Sequence, residues 1–379
     1  MKLKICLINH GLSTGGTDSF IMNIIRGLDK DDFDISLVMA LDGQNTRQFH
    51  EDDAIIEGAH IFRTCDLNGI RKKWLHYIRL KSILKSAGPF DVVHSNMDLF
   101  NGINLLAARL TGVRTRISHS HTTGSQYEAE TKRHLSVNLY RRIMRTLIRI
   151  NSTHLLGCGA DAMDYLYGKK WSQDPRSAIV YNGIDLQKFV RSDDEKESSA
   201  TIQGLDITQR NIVTVGHMSD VKNPLFIVDV ISELAKTDDS YHFYWVGTGK
   251  LLPQIVKRIE DSGVAGFFTL LGTRNDVAGI LKCYDCFLLP SIFEGLSLSL
   301  IEAQAAGLDC FVSDSVTREA DCGKCQYISL QKSAEQWAEI IHNHFSSQEP
   351  FVIDQVLLNR FSLESMLTQT EKIYLNNKS

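Results

Sequence analysis

The stretch CFLLPSIFEGLSLSLIEAQAAGLDCFVSD, residues 286–314, contains the pattern that predicts the fold of this chain. It consists of an apolar run CFLLPS (286–291), a glycine turn, a helical segment from about Ser297 to Ala306, and a second apolar run CFVSD (310–314). Short, continuous apolar runs that alternate with helices indicate parallel strands that are covered on both faces. The stretch therefore predicts a strand–helix–strand unit of an α/β sheet.

The same alternation extends over most of the chain. Strand candidates in the first half are KICLIN (4–9), FDISLVMAL (33–41), DVVHSN (91–96), TRISHS (115–120) and AIVYN (178–182). The second half adds IVTVG (212–216), YHFYWVG (241–247) and FFTLLG (267–272) to the two runs already quoted. A polar segment at residues 191–204 lies near the changeover. We therefore predict an α/β protein with two doubly wound, Rossmann-like domains.

The composition is that of a globular protein with two domains. Of its residues, 43% are hydrophobic and 23% are charged, as in ordinary globular proteins. The length of 379 residues is more than one hydrophobic core usually supports. No apolar run reaches the roughly eighteen residues of a membrane span, and the start MKLKICLINHG predicts a buried strand and not a secretory signal. Residues 1–182 carry 24 Lys and Arg against 18 Asp and Glu, whereas residues 183–379 carry 17 against 27. This asymmetry indicates domains with different neighbours.

The cysteines indicate a reducing compartment. Eight cysteines in a chain without a predicted export signal are typical of free thiols in a cytosolic protein. Four of them form two CxxC pairs, Cys283/Cys286 and Cys322/Cys325, a pattern that can bind zinc. The first pair adjoins an apolar run, and the gap between the pairs exceeds that of common zinc modules. We expect packing residues, with a zinc site as the alternative.

The predicted strand ends indicate where a ligand would bind, because doubly wound folds bind ligands at the carboxyl ends of their strands. Five strands end in glycine or polar residues, in INHGLSTGG, VGHMSDVKN, WVGTGK, LLGTRND and LLPSIFEG, which predicts one central cleft. In the first of these, Gly11, Gly15 and Gly16 precede a helix whose amino end favours an anion. Turn formation alone explains these glycines about equally well.

Two residues that follow the strand IVTVG are candidates for anion binding. In VGHMSDVKN, Lys222 could hold a phosphate group as a point charge, with His217 beside it. Taken alone, the segment favours a solvated lysine in the first turn of the next helix. A cation is mildly unfavourable at that end of a helix, however, which indicates a further reason for Lys222.

Two histidines close a strand of the first domain. In ISHSHTTG, His119 and His121 lie on the same face because side chains alternate along a strand. They could bind a metal, carry protons or donate hydrogen bonds to a substrate. A zinc site is disfavoured because no nearby Cys or Asp completes the ligand set.

Two carboxylates flank the helix start in the opening stretch. Glu294 lies before the helix, and the side chain of Glu302 leans back towards the same amino end. Amides around Gly295, Leu296 and Ser297 are free to bind an anion. This arrangement suits a ligand with hydroxyls at both ends and phosphates between them, such as a nucleotide sugar. Complementing the helix dipole explains Glu294 but explains Glu302 poorly.

Together these segments resemble the family 4 retaining glycosyltransferases, which have the GT-B fold. The resemblance covers nearly the whole chain and rests on GGTDSF, DVVH, ISHSH, YNGID, VGHMSDVKN, WVGTGK, LGTRNDV and FEGLSLSLIEAQAAG. The last is the family's E-x7-E element, and the tail VTREADCGKCQYISL is similar to the branch that builds bacterial capsule and exopolysaccharide. The resemblance implies an acceptor-side domain at 1–185, a nucleotide-sugar domain at 186–355, and a helix at 356–379 that returns to the first domain.

The resemblance also implies roles for individual residues. The residues implied as catalytic are Glu294, His119 and Lys222. The implied donor-binding residues are Gly15, Gly16, His217, Lys222, Gly247, Gly272, Thr273, Arg274, Glu294, Gly295, Leu296, Ser297 and Glu302. Among these, Glu294 contacts the donor sugar, Glu302 the ribose, Lys222 and helix amides the diphosphate, and Gly272 to Arg274 the base. His94 and His121 are implied on the acceptor or sugar side, with His121 as a substitute for His119.

One departure from the family pattern concerns the diphosphate. The family usually has arginine where this chain has His217, and histidine is only partly charged near neutral pH. The resemblance implies transfer with retention through an oxocarbenium-like state, without a metal or other cofactor. The leaving diphosphate, most simply uridine diphosphate, is stabilised by Lys222 and the helix amides.

The basic first half bears on the acceptor. KRHLSVNLYRRIMRTLIRI (132–150) and RKKWLHYIRLKSILK (71–85) are basic and amphipathic. Each could lie on an anionic membrane surface, or pack its apolar stripe on the sheet with its cations in water. A lipid-linked or oligosaccharide acceptor in surface polysaccharide synthesis, as the resemblance implies, favours a cytoplasmic protein at the inner face of the membrane. Nucleic-acid binding is poorly supported because stacking aromatics are not interleaved with the cations.

Two alternative functions remain open from the sequence. One is a sugar-nucleotide epimerase or hydrolase of the same fold, which would act on the donor without an acceptor. The other is a catalytically silent partner that binds a nucleotide sugar, which His217 leaves open.

Overall fold

The computed structural model describes residues 2–13, 15–42, 47–123, 135–190, 206, 208–347 and 349–376. The chain forms two compact units, one of Met1–Gly183 with Leu363–Ser379 and one of Ile184–Ser362. The polar segment expected at the changeover, residues 191–204, lies outside the described residues. The first unit ends slightly before the expected boundary at 185. The segment that rejoins it begins at Leu363, later than the expected 356.

The first unit contains a parallel sheet of seven strands. These are β1 (Leu3–Asn9), β2 (Phe33–Met39), β3 (His60–Arg63), β4 (Val92–Ser95), β5 (Thr115–Ser120), β6 (His154–Gly157) and β7 (Ser177–Ile179). Their order across the sheet is β3-β2-β1-β4-β5-β6-β7. The order reverses direction at β1, which is the mark of a doubly wound sheet.

Helices cover both faces of this sheet. They are α1 (Gly16–Gly27), α2 (Glu51–Ile56), α3 (Ile70–Ser86), α4 (Asn101–Leu110), α5 (Leu135–Asn151), α6 (Ala160–Tyr167) and the C-terminal helix α13 (Leu363–Leu375). Alternate residues of β1 enter opposite cores: Leu7 packs with α1 and with Tyr374 of α13, whereas Ile8 packs with Leu80 of α3. The apolar runs are continuous because both faces of the sheet are buried.

The second unit repeats this design with six parallel strands. These are β8 (Arg210–Val215), β9 (Tyr241–Val246), β10 (Phe268–Gly272), β11 (Cys286–Leu289), β12 (Asp309–Ser313) and β13 (Cys325–Ile328), in the order β10-β9-β8-β11-β12-β13. The helices are α7 (Pro224–Thr237), α8 (Leu252–Asp261), α9 (Val277–Leu281), α10 (Leu298–Ala305), α11 (Ala334–Ser347) and α12 (Gln355–Asn359). The order again reverses at the first strand, β8. The prediction of two doubly wound Rossmann-like domains is confirmed.

Three strands were absent from the sequence prediction: β3, β6 and β13. Each has only four residues, and β3 and β13 are edge strands with mostly half-buried side chains. Helix α12 was expected in the returning segment but belongs to the second unit. Among the described residues, no helix is both long enough and apolar enough to span a bilayer.

Candidate functional site

The second unit brings Lys222 and Glu294 together from two loops that follow different strands. Lys222 ends the short helical turn Asp220–Lys222 after β8, and Glu294 lies in the turn after β11. The Lys222 Nζ is 2.6 Å from Glu294 Oε1, and the Ser291 hydroxyl donates to the same oxygen at 3.0 Å. Each charged side chain is only 16% exposed. The pair is therefore largely shielded from water. In such a shielded environment a charge-assisted contact is stronger than at an open surface.

The backbone around this pair holds the two loops in contact. The Ile292 amide donates to the Val221 carbonyl at 2.8 Å. A Cβ at Gly216 would lie 2.9 Å from Lys222 Cε, so the lysine stem runs directly against a glycine backbone. A larger residue at Gly216 would displace the lysine, which explains why a glycine directly follows β8.

The helix that follows Glu294 presents backbone amides beside the pair. Helix α10 begins at Leu298 with Ser297 as its N-cap, one residue later than expected, and ends one residue earlier, at Ala305. The first helical bond is donated by Ile301 to the Ser297 carbonyl at 3.3 Å, so the amides before it have no partner within the helix. Such amides and the helix dipole favour an anion at this position.

Glu302 lies in the middle of helix α10, as predicted. The residue is partly buried, and removal of its carboxyl group from water raises its pKa to about 7. A carboxyl group that burial makes costly to ionise can accept hydrogen bonds from donors that a ligand supplies. Its predicted contact with a ribose stays a prediction.

Gly216, Gly247 and Gly272 lie close together at the carboxyl ends of the neighbouring strands β8, β9 and β10. The Gly247 amide donates to the Gly272 carbonyl at 2.7 Å, and the Trp245 indole donates to the Gly216 carbonyl at 3.0 Å. A Cβ at Gly247 would lie 2.1 Å from the Gly216 carbonyl oxygen. Only glycine fits there, because the backbone of Gly247 packs directly against the backbone of Gly216.

The remaining predicted donor residues of the second unit are more open. His217 and Thr273 are exposed, whereas Arg274 is partly exposed and is paired with Asp276 at 2.6 Å. His217 lies beside Met218, which is fully buried and anchors the loop. The roles predicted for these three side chains stay predictions.

The glycine-rich loop of the first unit is organised by a residue that the sequence did not single out, Asp18. Its carboxylate accepts from the Asn9 amide at 2.9 Å, the Ser13 hydroxyl at 2.7 Å and the Gly15 backbone amide at 3.1 Å. The amide of Gly15, a residue implied as donor-binding, is therefore already occupied by a carboxylate. The spacing of Gly15 and Asp18 is that of a helix N-cap and N3 residue, which is the signal that could have identified it.

Three histidines of the first unit, His94, His119 and His121, form one largely buried cluster. His94 Nε2 lies 3.1 Å from His119 Nδ1, and His94 Nδ1 lies 2.7 Å from the Tyr374 hydroxyl of the C-terminal helix. The rings of His119 and His121 stack with centroids 4.1 Å apart, which confirms that both lie on one face. Phe20 packs against all three imidazoles.

Burial determines the charge of this histidine cluster. Removal from water lowers the pKa of His94 and of His121 to about 3, and it lowers the pKa of His119 well below its usual value. All three rings are therefore neutral near pH 7. Of the roles that the sequence left open, donation to or acceptance from a substrate fits neutral imidazoles better than proton carriage through a cationic form.

A second unpredicted residue, Asn101, positions the backbone of His119. Its side-chain amide donates to the His119 carbonyl and to the Ser118 hydroxyl, both at 3.0 Å. Asn104, three residues along the same helix, donates to the Ser95 hydroxyl at 2.9 Å. Two asparagines at this spacing in a largely apolar helix, NGINLLAARL, are the signal for such a buried network.

The cysteines are free thiols in this structure. Cys286 is part of the core of the second unit, and Cys283 donates to the Gly279 carbonyl at 3.3 Å. Cys325 lies in register with Cys310 of the neighbouring strand. Across the described ranges, no group of three or more His, Cys, Asp or Glu residues could hold a metal ion.

The two basic helices carry apolar side chains on two sides. In α3, His76, Leu80 and Leu84 face the core, while Ile70, Trp74 and Ile78 are 87%, 63% and 47% exposed. In α5, Met144 and Ile148 are buried, while Leu139, Ile143 and Ile150 are 59%, 47% and 59% exposed. The Lys73 ammonium of α3 lies 4.9 Å from the centre of the Tyr140 ring of α5, so the two helices are in contact through this pair. Of the predicted segment 132–150, residues 132–134 lie outside the described residues.

Comparisons with known proteins agree with this architecture. The family model described as "Glycosyltransferase Family 4" matches residues 14–188, and the one described as "Glycosyl transferases group 1" matches residues 209–346. The chain is similar to the putative glycosyltransferase EpsF of Bacillus subtilis, with 29% identity over 92% of this chain and 89% of the relative. The structure of Anabaena HepE in complex with UDP has the same fold, with a TM-score of 0.78 and 13% identity over 98% and 99% of the two chains.

A further relative is a galactosyltransferase. The Escherichia coli UDP-Gal:alpha-D-GlcNAc-diphosphoundecaprenol alpha-1,3-galactosyltransferase is 27% identical over 83% of this chain and 80% of its own length. Two Rossmann-like units and matches to both glycosyltransferase models define an enzyme of the GT-B glycosyltransferase class. Within that class, the chain belongs to glycosyltransferase family 4, and the relatives favour a transferase over an epimerase or a silent partner.

Proposed function

We propose that this protein transfers a hexosyl or N-acetylhexosaminyl group from a UDP-sugar to a lipid-linked saccharide, with retention at the anomeric carbon, in the synthesis of a surface polysaccharide. The donor proposal is supported by the UDP complex of HepE and the UDP-Gal specificity in the name of the Escherichia coli relative. The acceptor proposal is supported by the diphosphoundecaprenol in that same name. Retention is inferred from the family.

The observation that carries the donor proposal is the Lys222–Glu294 pair at the amino end of helix α10. A diphosphate would meet the Lys222 ammonium and the free helix amides, and these groups stabilise the charge that develops as the sugar leaves. A sugar hydroxyl would donate to Glu294. We therefore propose that the diphosphate is neutralised without a metal ion.

A thermal-shift panel of UDP, UDP-galactose, UDP-glucose, UDP-N-acetylglucosamine and GDP-mannose tests the donor. A ligand at about 100 times its dissociation constant adds about 2.7 kcal/mol of stability. We expect uridine nucleotides to stabilise the protein, and the shift to persist in EDTA. A panel without any shift contradicts the donor proposal, and a shift lost in EDTA contradicts metal independence.

Transfer is tested with the stabilising donor and a polyprenyl-diphosphate-linked N-acetylglucosamine acceptor. The proposal expects an α-configured product from an α-configured donor, measured by the anomeric proton coupling. Release of epimerised sugar without acceptor would contradict it.

We also propose that helices α3 and α5 contact an anionic membrane on the cytoplasmic side. Ile70, Trp74 and Ile78 form an outward apolar stripe at four-residue spacing among the cations of α3, in addition to the inward stripe. An amphipathic surface with large apolar side chains and lysines suits anionic lipid headgroups.

Vesicle co-sedimentation tests this contact. We expect binding to phosphatidylglycerol vesicles, weaker binding to phosphatidylcholine vesicles, and a reduction of roughly fivefold in Trp74→Ala. Val352→Ala, which removes an exposed apolar side chain of the second unit, is the matched control. Equal binding of the Trp74 variant and the control would contradict the proposal.

A further inference from the structure

Two buried imidazole nitrogens of the first unit have no hydrogen-bond partner among the described residues. They are His119 Nε2 and His121 Nδ1. Their rings are stacked with centroids 4.1 Å apart. A buried polar atom without a partner is unfavourable, so two of them on stacked rings indicate a place that a ligand group completes.

The tautomer of His121 follows from Asn96. The Asn96 side-chain amide donates to the His94 carbonyl at 3.3 Å, which directs its oxygen, Oδ1, to His121 Nε2 at 2.9 Å. Because a carboxamide oxygen can only accept, His121 Nε2 carries the proton. His121 Nδ1 is consequently a bare acceptor.

The tautomer of His119 follows from Tyr374. The partner that the described structure gives the Tyr374 hydroxyl is His94 Nδ1, at 2.7 Å. Because a buried hydroxyl proton without an acceptor is unfavourable, we assign the hydroxyl as the donor and Nδ1 as the acceptor. The proton of neutral His94 is then on Nε2, which donates to His119 Nδ1 at 3.1 Å. His119 carries its own proton on Nε2 and presents a donor.

We propose that Tyr374 and Asn96 fix these tautomers so that His119 Nε2–H and His121 Nδ1 form a donor–acceptor pair that binds one hydroxyl group of the sugar substrate. A hydroxyl both donates and accepts, whereas a carboxylate only accepts and an ammonium only donates. The pair therefore selects a neutral hydroxyl. The identity of the ligand as a sugar rests on the proposed function, and Tyr374 acts as a positioning residue.

The surroundings of the pair support this assignment. Phe20 lies against both rings, with centroids 4.7 Å from His119 and 5.2 Å from His121, and supplies an apolar wall. Burial keeps both imidazoles neutral, so neither nitrogen changes role by protonation near pH 7. The Asn101 amide holds the His119 backbone carbonyl at 3.0 Å.

The tautomers are tested without any ligand. A long-range 1H–15N NMR spectrum of the full chain at pH 7, with signals assigned through His119→Gln and His121→Gln, should show both rings as the Nε2–H form. A ring in the Nδ1–H or the cationic form would overturn the proposal. In Tyr374→Phe, we expect the His119 signals to shift towards a mixture of tautomers. Unchanged His119 signals in that variant would overturn the role of Tyr374.

A matched variant separates this effect from the loss of any buried hydroxyl. Tyr241 is also fully buried and also bonds a histidine, with its hydroxyl 3.1 Å from His342 Nδ1 in the second unit. Tyr241→Phe should leave the His119 tautomer unchanged. A change in the Tyr241 variant equal to that in the Tyr374 variant would mean a general loss of packing and would overturn the proposal.

Kinetics test the hydroxyl. With UDP-glucose and the acceptor described above, Tyr374→Phe should lower kcat/KM about three- to tenfold, the effect of one neutral hydrogen bond. Monodeoxy analogues of UDP-glucose should include one for which wild type and variant are equal. If the difference persists with every analogue, the hydroxyl assignment is wrong. Because the tautomer spectrum needs no ligand, it can succeed where the donor panel fails, so failures of the two proposals are distinguishable.

Discussion

The residue clusters at the strand ends of the two units differ in charge: the cluster of the second unit is an ion pair, and the cluster of the first unit is a set of neutral imidazoles. In the second unit, Lys222 and Glu294 carry opposite charges, and their side chains pair at 2.6 Å. In the first unit, His119 and His121 are neutral, and one nitrogen of each ring has no partner within the described structure. One cluster is complete before a ligand binds, and the other is incomplete.

The difference determines what a ligand must do at each cluster. A diphosphate must compete with Glu294 for the Lys222 ammonium, so donor binding would loosen an existing contact and release the carboxylate for sugar hydroxyls. A hydroxyl at the histidine pair displaces no protein partner and relieves a desolvation cost. The charged cluster is therefore expected to control turnover and donor affinity, and the neutral cluster to control the choice of group.

The largest expected effect is that of Glu294→Gln. The change keeps the size of the side chain but removes the charge that holds Lys222, and it weakens the acceptor for a sugar hydroxyl. We expect kcat/KM to fall about 100-fold, as for the loss of a charged hydrogen bond in a shielded site. Glu233→Gln is the control, because Glu233 forms an exposed ion pair with Lys236 at 2.7 Å. A fall below threefold would contradict a role in turnover.

A smaller effect is expected for Lys222→Met. The thioether preserves the stem that packs on Gly216 but removes the cation. We expect the affinity for UDP, measured by calorimetry, to fall roughly tenfold, and the loss to shrink as salt rises. Lys250→Met, which breaks the exposed Lys250–Asp220 pair in the same loop region, should alter UDP affinity by less than about twofold. Equal losses in the two variants would show a diffuse charge effect and not a clamp.

The fold could be predicted from the sequence because strands that are buried on both faces of a sheet have continuous apolar runs. All ten predicted strands exist within one or a few residues of their expected bounds. The short strands at His60–Arg63 and Cys325–Ile328 could not be predicted, because edge strands are half-buried and have no continuous apolar run. The return of the C-terminal helix to the first unit was predicted from family resemblance alone. It could not be predicted from the local sequence, because a contact between distant segments, such as that of Tyr374 with His94, leaves no local pattern.

The sequence also located the residues of the candidate site but not their interactions. Lys222 and Glu294 were identified individually, whereas their direct pairing depends on two loops brought together by strand order. The basic helix Ile70–Ser86 presented two alternatives, packing or membrane contact, and the structure has an apolar stripe on each side. Asp18 was missed because a carboxylate that binds its own loop looks like an ordinary first-turn acid.

Asp18→Asn tests whether the first unit also depends on a buried charge for its structure. The new amide would face the Asn9 amide donor and would leave the Ser13 hydroxyl and the Gly15 amide with a weaker acceptor. We expect the free energy of unfolding to fall by about 1 to 2 kcal/mol in urea titrations. Asp29→Asn, at an exposed turn where Asp29 accepts from the Asp31 amide, should cost less than about 0.5 kcal/mol. An equal cost at both sites would remove the distinction between the loops.

The smallest expected effect concerns Glu302, whose carboxyl group titrates in the second unit while the imidazoles of His94, His119 and His121 in the first remain neutral. Its pKa is about 7 in the folded protein against an ordinary 4.5, so folding favours the protonated form. The associated stability is complete below pH 4.5 and is lost as pH rises to 7. Glu302→Gln cannot ionise, and its stability relative to wild type should rise by about 1 kcal/mol between pH 5 and pH 6. Glu260→Gln on an exposed helical position is the control. A difference that stays constant across this range would mean that Glu302 is ionised at no cost.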